Sequence, residues 1–313
     1  MNDRKEYIDI AKGIVILWVV WMHIGIHSLL YASVQMPFFF FVSGSLWKYK
    51  NEKFGRFIRK KSRSFIIPTI FFALSTAIIF YLRGNVDFMQ MNILDKMDAS
   101  IKGSITWFLI AIFIFNIIQY YVEKFNLKKI ELSLSIILYP IGAYLYAKGF
   151  YSIMPIIPIA HILVFWIYYV IGTYMGNGII HCIEKDYKRA KFFAYIGAVI
   201  ILLVHIIPWN YGVLSHISFY IYIFPYTLSF IFLILYVCKR LEKIYALKFF
   251  NYVGYNSIII YLVHWPLWIQ FMKKPLSNVN MYISYLLIIP ILLLSIVIIN
   301  KYIPFIIGKD YKK

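Results

Sequence analysis

Long apolar segments alternate with short polar stretches along the whole chain. There are ten such segments, and each can cross a bilayer as a helix, although two are shorter than the roughly 20 residues that a transmembrane helix usually needs. The pattern predicts an all-α polytopic membrane protein with about ten transmembrane helices, built as one domain over residues 1–313. The predicted spans are 14–30, 34–47, 65–82, 104–122, 132–147, 155–175, 192–207, 216–237, 251–270 and 281–303.

Lysine and arginine are distributed unevenly between the two sides of these spans. Of the 32 basic residues, 26 fall on the side of the N-terminus and 6 on the opposite side. Cytoplasmic loops of membrane proteins carry the excess of basic residues, so both termini are predicted to be cytoplasmic. This topology explains the net charge of +19, and the chain shows no soluble basic domain for nucleic acid. A 62% hydrophobic composition with a mean hydropathy of +0.74 agrees with a membrane protein.

Polar groups interrupt the first predicted span along a single stripe. On a helix that begins early, Asp9, Lys12, His23 and His27 all point within about 60° of one direction. Lys12 and His23 are eleven residues apart. That separation is roughly 16 Å of helix, or about half of a hydrocarbon core. An ionisable side chain at that depth is a functional-site hypothesis, because the bilayer disfavours it.

Acidic residues do not occupy the middle of any predicted span. All 13 Asp and Glu lie in loops or at membrane edges, whereas exporters more often carry membrane-embedded carboxylates and internal repeats. A polytopic glycan or lipid exporter stays the alternative to a membrane enzyme. His23 and His27 also have the spacing of two metal ligands, but no buried Asp, Glu or Cys stands ready as a third, so no metal site is predicted.

A cationic segment precedes the third span. Arg56, Arg59, Lys60 and Arg63 recur at three- and four-residue spacing, which places them on one face of a short amphipathic helix. One interpretation is that this face follows the topology and attracts anionic lipid headgroups. The other is a phosphate site at the mouth of a pocket, because guanidinium groups match phosphate oxygens in pairs.

Small residues interrupt an aromatic run in the second span, at Ser43-Gly44-Ser45. Their backbone can approach a neighbouring element closely. The sequence leaves open whether that element is another helix or a ligand.

Two further places combine aromatic and polar groups. Trp107 begins the fourth span on the external side, where it joins an interfacial belt or stacks on a sugar ring. Tyr261 and His264 lie just before Pro266 in the ninth span. Proline frees a backbone carbonyl one turn earlier, so this region is predicted to be polar and kinked inside the membrane.

In their order along the chain, these motifs resemble those of the membrane acyltransferase-3 family, transmembrane enzymes that O-acetylate surface polysaccharides and related glycans. The resemblance covers essentially the whole chain. Its opening motif is similar to the sugar-acetylase (fucose-acetylase-like) branch, since many other members carry Arg where this chain has Lys12. Lysine keeps the charge but loses the two-point contact of arginine. The motifs are Asp9-x-x-Lys12-Gly13 followed by His23, Phe40-Phe41-x-Ser43-Gly44, Arg59-Lys60-Lys61-x-Arg63 ahead of Pro68, Trp107-Phe108-Leu109, and Tyr261-Leu262-x-His264-Trp265-Pro266.

The resemblance implies an O-acetyltransferase in the bacterial inner membrane. Its donor would be cytoplasmic acyl-CoA, most often acetyl-CoA, and its acceptor a hydroxyl of an extracytoplasmic glycan or lipid-linked sugar. The enzyme would lie in the lipid bilayer, and its partners would include neither nucleic acid nor a metal ion.

The resemblance also implies roles for individual residues. His23 is expected to take the proton of the attacking hydroxyl as a general base, and the sequence leaves open a covalent acyl-histidine instead. Asp9 and Lys12 complete the expected catalytic group. The residues expected to bind acyl-CoA are Arg59, Lys60, Arg63, Ser43 and Gly44, and those expected to bind the acceptor are Trp107, His264 and Tyr261.

Overall fold

The computed structural model describes residues 5–25, 29–149, 157–206 and 215–309, and this part of the chain is all-helical. Two π-helical turns, Ser62–Ile66 and Trp268–Met272, and a short 3₁₀ turn, Pro304–Ile307, connect or follow the α-helices. The α-helices are α1 (Glu6–Ile24), α2 (Leu29–Ser45), α3 (Phe54–Lys61), α4 (Ile67–Leu82), α5 (Val86–Gln90), α6 (Ile93–Ser104), α7 (Trp107–Lys124), α8 (Lys128–Ala147), α9 (Ile159–Lys185), α10 (Tyr187–Ile206), α11 (Ser215–Leu241), α12 (Leu247–Tyr255), α13 (Ser257–Leu267) and α14 (Met281–Tyr302).

Six helical stretches of the described part are long and apolar enough to cross a membrane. The protein is therefore a polytopic membrane protein. Each of the ten predicted segments overlaps a helix, but the count of ten spans and the cytoplasmic placement of both termini stay predictions. The six stretches are Glu6–Ile24, Phe54–Leu82, Trp107–Lys124, Ile159–Lys185, Ile223–Leu241 and Met281–Tyr302.

The first helix differs from the predicted span at both ends. It begins at Glu6, eight residues before the predicted start, so Asp9 and Lys12 belong to it. It ends at Ile24 because Gly25 adopts a φ of +125°, a conformation that glycine tolerates and other residues avoid. His27, the last member of the predicted stripe, lies outside the described residues.

The predicted amphipathic helix before the third span is present as α3. It continues through the π-helical turn into α4, so one helical rod runs from Phe54 to Leu82. The predicted external loop 83–103 contains two short helices rather than irregular chain. Asn85 and Asn92 cap them, each accepting a backbone N–H with its side-chain oxygen.

The ninth predicted span is divided into α12 and α13 at Asn256. Asn300 of α14 donates from Nδ2 to the Asn256 side-chain oxygen at 2.8 Å, and Lys309 donates to Asn300 at 3.0 Å. Beyond Pro266, α13 passes into the second π-helical turn. Polar contacts at Asn256 thus mark the start of α13, and a π-helical turn after Pro266 marks its end.

Glycines bring α2 and α9 into direct backbone contact. A Cβ at Gly44 would lie 2.1 Å from the carbonyl oxygen of Tyr169, and one at Gly172 would lie 2.2 Å from that of Phe41. Small residues permit this close approach in membrane helices, where packing drives association. The sequence left open whether the Ser43-Gly44-Ser45 segment approaches another helix or a ligand. In the structure, Gly44 contacts another helix, α9.

A second glycine contact joins α1 to α12. A Cβ at Gly254 would lie 1.7 Å from the carbonyl oxygen of Asp9, and one at Gly13 would lie 2.0 Å from that of Phe250. No side chain fits between these backbones. The contact therefore fixes the position of the Asp9–Lys12 turn against the start of α12–α13.

Residues that the sequence assigns to the cytoplasmic side are tied to one another across the chain. Lys5 pairs with Glu184 at 2.6 Å, and Arg240 donates to the carbonyl oxygen of Ile183 at 3.2 Å. The Tyr120 hydroxyl donates to the carbonyl oxygen of Glu52 at 2.9 Å. These contacts gather the predicted cytoplasmic segments at one end of the bundle.

Replacing Gly254 by alanine is expected to destabilise the protein by about 3 kcal/mol, because the new methyl group meets backbone rather than a movable side chain. Thermal unfolding of the detergent-solubilised protein measures this. Gly178→Ala is the matched control, since a Cβ at Gly178 meets nothing within 4 Å. Equal melting temperatures for the two variants would contradict the close contact of α1 with α12.

The predicted topology is tested with single cysteines in a Cys182→Ala, Cys238→Ala background. Asp98→Cys is expected to react with a membrane-impermeant maleimide in intact cells, because the 83–103 segment is predicted to be external. Lys188→Cys is expected to react only after the membrane is permeabilised. The reverse pattern would invert the predicted orientation.

Candidate active site

The first two turns of α1 carry a mostly buried ion pair. Lys12 donates from Nζ to Asp9 Oδ1 at 3.0 Å, and the two side chains are 23% and 10% exposed. Removing one charge from such a pair leaves the other buried without compensation, which is strongly destabilising. The predicted Asp9-Lys12 association is thus present, and Lys12 faces a cavity inside the bundle.

His23, near the other end of α1, lies against two residues of α13. Its ring centroid is 5.2 Å from that of His264 and 4.6 Å from that of Trp265. His264 is 1% exposed, and its Nδ1 is 2.9 Å from the carbonyl oxygen of Ile260. The structure therefore brings together two histidines that the sequence assigned to separate roles.

Tyr261 connects this histidine pair to the start of α7. Its hydroxyl donates to the carbonyl oxygen of Ile105, and its ring lies 6.0 Å from His264 and 5.1 Å from Phe108. Ile105 has a φ of +54°, which costs a β-branched residue about 1–3 kcal/mol. The surrounding packing and the Tyr261 hydrogen bond hold this strained residue in place.

An apolar cavity of about 150 Å³ lies between α1, α2, α7 and α13. Lys12 and Ser43 contribute polar groups to a wall that is otherwise mainly aliphatic and aromatic. Tyr261 also forms part of the wall, and its ring centroid lies 6.0 Å from that of His264.

A larger cavity of about 520 Å³ adjoins the first one. Its wall carries four lysines, and it shares Ser43, Phe65 and Ile112 with the wall of the apolar cavity. The two cavities are thus neighbours, one cationic and one apolar. The lysines are Lys48, Lys50, Lys60 and Lys61.

Two contacts set the electrostatics of the cationic cavity. Lys60 pairs with Glu52 at 2.6 Å, and this hydrogen bond lowers the pKa of the Glu52 carboxyl. Lys61 lies with Nζ 4.9 Å from the ring centroid of Trp47, a cation–π arrangement. Glu52 neutralises one lysine, so the cavity keeps an excess of positive charge suited to an anion.

The residues predicted to bind acyl-CoA are divided by the structure. Lys60 and Ser43 lie in the cavity wall, whereas Arg59 and Arg63 are exposed and outside it. Gly44 packs against α9.

Sequence reasoning missed three of the cavity lysines, Lys48, Lys50 and Lys61. It followed the spacing of Arg56, Arg59, Lys60 and Arg63, and of these four only Lys60 lies in the cavity wall. The buried Phe57, which also lines the cavity, marks the face that turns inward. Phe57, an aromatic residue within a cationic helix, was the feature of the sequence that could have identified the inward face.

The residues predicted to bind the acceptor are joined by a series of ring contacts. Trp107 packs on His161 at 4.2 Å and on Phe165 at 5.8 Å. Its chain neighbour Phe108 packs on Tyr261, which in turn contacts His264. His161 lies in this neighbourhood as well.

Of the two histidines with metal-ligand spacing, His23 and His27, only His23 belongs to the described residues. Among the residues that the structure describes, no group of three or more His, Cys, Asp or Glu is placed to hold a metal ion.

Comparison with known proteins identifies the family. No curated protein and no solved structure matches the chain. The model of the acyltransferase 3 family, which describes an acyltransferase domain, matches residues 5–300, nearly the whole chain. This chain, a polytopic membrane protein, therefore belongs to the acyltransferase 3 family of membrane acyltransferases.

Proposed function

We propose that this acyltransferase transfers an acyl group, most readily acetyl, from cytoplasmic acyl-CoA to a hydroxyl of an extracytoplasmic glycan or related acceptor. The bacterial inner membrane would be its location. The proposal is supported by the spatial order of three features. The cationic cavity adjoins the apolar cavity, and Tyr261 in the wall of the apolar cavity contacts the histidine pair. An acyl-CoA molecule has the same order of parts: phosphates, a flexible arm and a thioester.

The phosphates of the donor would bind at the cationic cavity. Lysine ammonium groups attract phosphate as point charges and do not need the paired geometry of arginine. Lys60 and Lys61 would act from α3, and Lys48 and Lys50 from the loop that precedes it. The exposed Arg59 would add to the field that draws an anion toward the cavity.

The arm of the donor would follow the apolar cavity. Lys12, held by Asp9, supplies a fixed positive charge at its wall. Ser43 lies in the wall shared by the two cavities, so its position suits a contact with the donor arm.

The chemistry would take place beside His23. The acceptor oxygen attacks the thioester carbon, His23 takes the hydroxyl proton, the C–O bond forms and the C–S bond breaks. His23 then returns the proton to the CoA thiolate.

The acceptor would approach along the aromatic contacts that begin at Trp107. This side chain is half-buried and starts α7 on the predicted external side. An indole face that is open in part can stack on a sugar ring, and the Phe108–Tyr261 contact leads from it toward the histidines.

The His23→Ala variant is expected to lose acyl transfer by at least about 10²-fold, because no general base remains at the reacting hydroxyl. The measurement is the acetyl signal in NMR spectra of envelope glycan, compared at equal membrane abundance. His181→Ala is the control, since His181 is an exposed histidine of α9 away from both cavities. Undiminished acetylation with His23→Ala would remove this residue from the chemistry.

The Lys61→Met variant keeps much of the side-chain volume over Trp47 but removes the charge. We expect the KM for acetyl-CoA to rise about tenfold, the effect of losing roughly 1.4 kcal/mol of phosphate binding. The KM for acetyl-pantetheine, which lacks the nucleotide phosphates, is expected to stay unchanged.

Lys53→Met is the matched control for Lys61→Met. Lys53 belongs to the same basic segment but is exposed and outside the cavity wall. Equal loss with both donors in Lys61→Met, or an equal effect of Lys53→Met, would contradict a phosphate site in the cationic cavity.

A further inference from the structure

His264 has a fixed hydrogen-bonding state that follows from its surroundings. Its Nδ1 lies 2.9 Å from the carbonyl oxygen of Ile260. A carbonyl oxygen only accepts hydrogen bonds, so Nδ1 carries the hydrogen. In the neutral ring, Nε2 is then a bare acceptor.

That acceptor is buried without a hydrogen-bond partner among the residues that the structure describes. The side chain is 1% exposed, so solvent does not satisfy it. An unsatisfied buried acceptor costs free energy and calls for an explanation. The nearby hydroxyl of Tyr261 does not supply one, because it donates to Ile105.

The neighbouring group that can donate is His23. The two ring centroids are 5.2 Å apart with an interplanar angle of 42°. Because a ring nitrogen lies roughly 1 Å from its centroid, this spacing leaves room for an N–H···N bond of about 3 Å after a small rotation. Trp265, at 4.6 Å, limits how the His23 ring turns. Catalytic hydrogen bonds are often loose in the free enzyme and tighten around substrate.

We propose that His264 is a positioning residue that accepts the N–H of His23 at Nε2 and so fixes the tautomer of the catalytic base. The proposal rests on the function proposed above and adds a role beyond it. With one nitrogen of His23 committed to His264, the other presents its lone pair to the acceptor hydroxyl. His264 takes up no proton, since the hydroxyl proton moves to His23 and from there to the CoA thiolate as the C–S bond breaks.

Inside the bilayer, a neutral side chain is better suited than a charged one to orient the catalytic histidine. Soluble enzymes often orient a catalytic histidine with a carboxylate, but a carboxylate is expensive inside a bilayer. An imidazole that donates on one side to Ile260 and accepts on the other performs the same positioning without a buried charge.

Two substitutions separate this role from simple packing. His264→Asn keeps an amide N–H near the Nδ1 position but has no acceptor at the Nε2 position, whereas His264→Gln places an amide oxygen close to Nε2. We expect kcat to fall on the order of 10²-fold in His264→Asn and by less than about tenfold in His264→Gln. The assay is thiol release from acetyl-CoA by the full-length protein in detergent, with de-O-acetylated envelope glycan as acceptor.

If His264 acts through His23, the losses of rate caused by substituting the two residues are expected not to add. The His23→Ala, His264→Asn double variant is expected to have the same residual rate as His23→Ala alone, because His264 acts through His23. Acetyl-CoA binding and the melting temperature of each variant serve as controls for the donor site and the fold.

Four outcomes would overturn the proposal. Equal losses in the Asn and Gln variants would indicate packing, and additive losses in the double variant would indicate an independent role. An increased KM for glycan at unchanged kcat would make His264 an acceptor-binding residue. An unchanged His264→Asn rate in an active enzyme refutes this proposal alone, whereas a wild type that transfers no acetyl group refutes the proposed function with it.

Discussion

The backbone contact between α1 and α12 sets the geometry on which the candidate site depends. Gly13 and Gly254 allow the two helices to touch without intervening side chains. Ten residues separate Gly13 from His23, and ten separate Gly254 from His264. At the usual rise, His23 lies roughly 15 Å beyond the contact along α1. The chain that runs from Gly254 through the break at Asn256 into α13 brings His264 to the same depth, with the two ring centroids 5.2 Å apart.

The site combines two requirements that oppose each other in a membrane. The proposed donor phosphates need cations, and the lysines of the cationic cavity lie near one end of the bundle, where Lys60 pairs with Glu52 and Lys61 lies over Trp47. The proposed reacting groups need polar atoms at depth, and Tyr261 and His264 are neutral there and are bonded to backbone carbonyls. The cost of a buried charge explains this division.

Much of the site could be predicted from the sequence because its residues lie on single helices. The Asp9–Lys12 pair and its stripe with His23 follow from helical spacing alone, once the helix begins early enough. The inward-facing lysines could not be predicted in the same way. Which face of α3 turns toward a cavity depends on its neighbours, and Phe57 and Tyr120 decide that by packing together.

The sequence by itself determined that the chain is helical and membrane-spanning, which residues of α1 share a face, and, through its ordered motifs, the acyltransferase 3 family. Those features depend on composition and on local spacing. Only the tertiary structure placed His264 beside His23, Ser43 between two cavities, and Gly44 against α9. Contacts between distant helices are fixed by how closely their backbones can approach, and a pattern read along one helix carries no information about its neighbour.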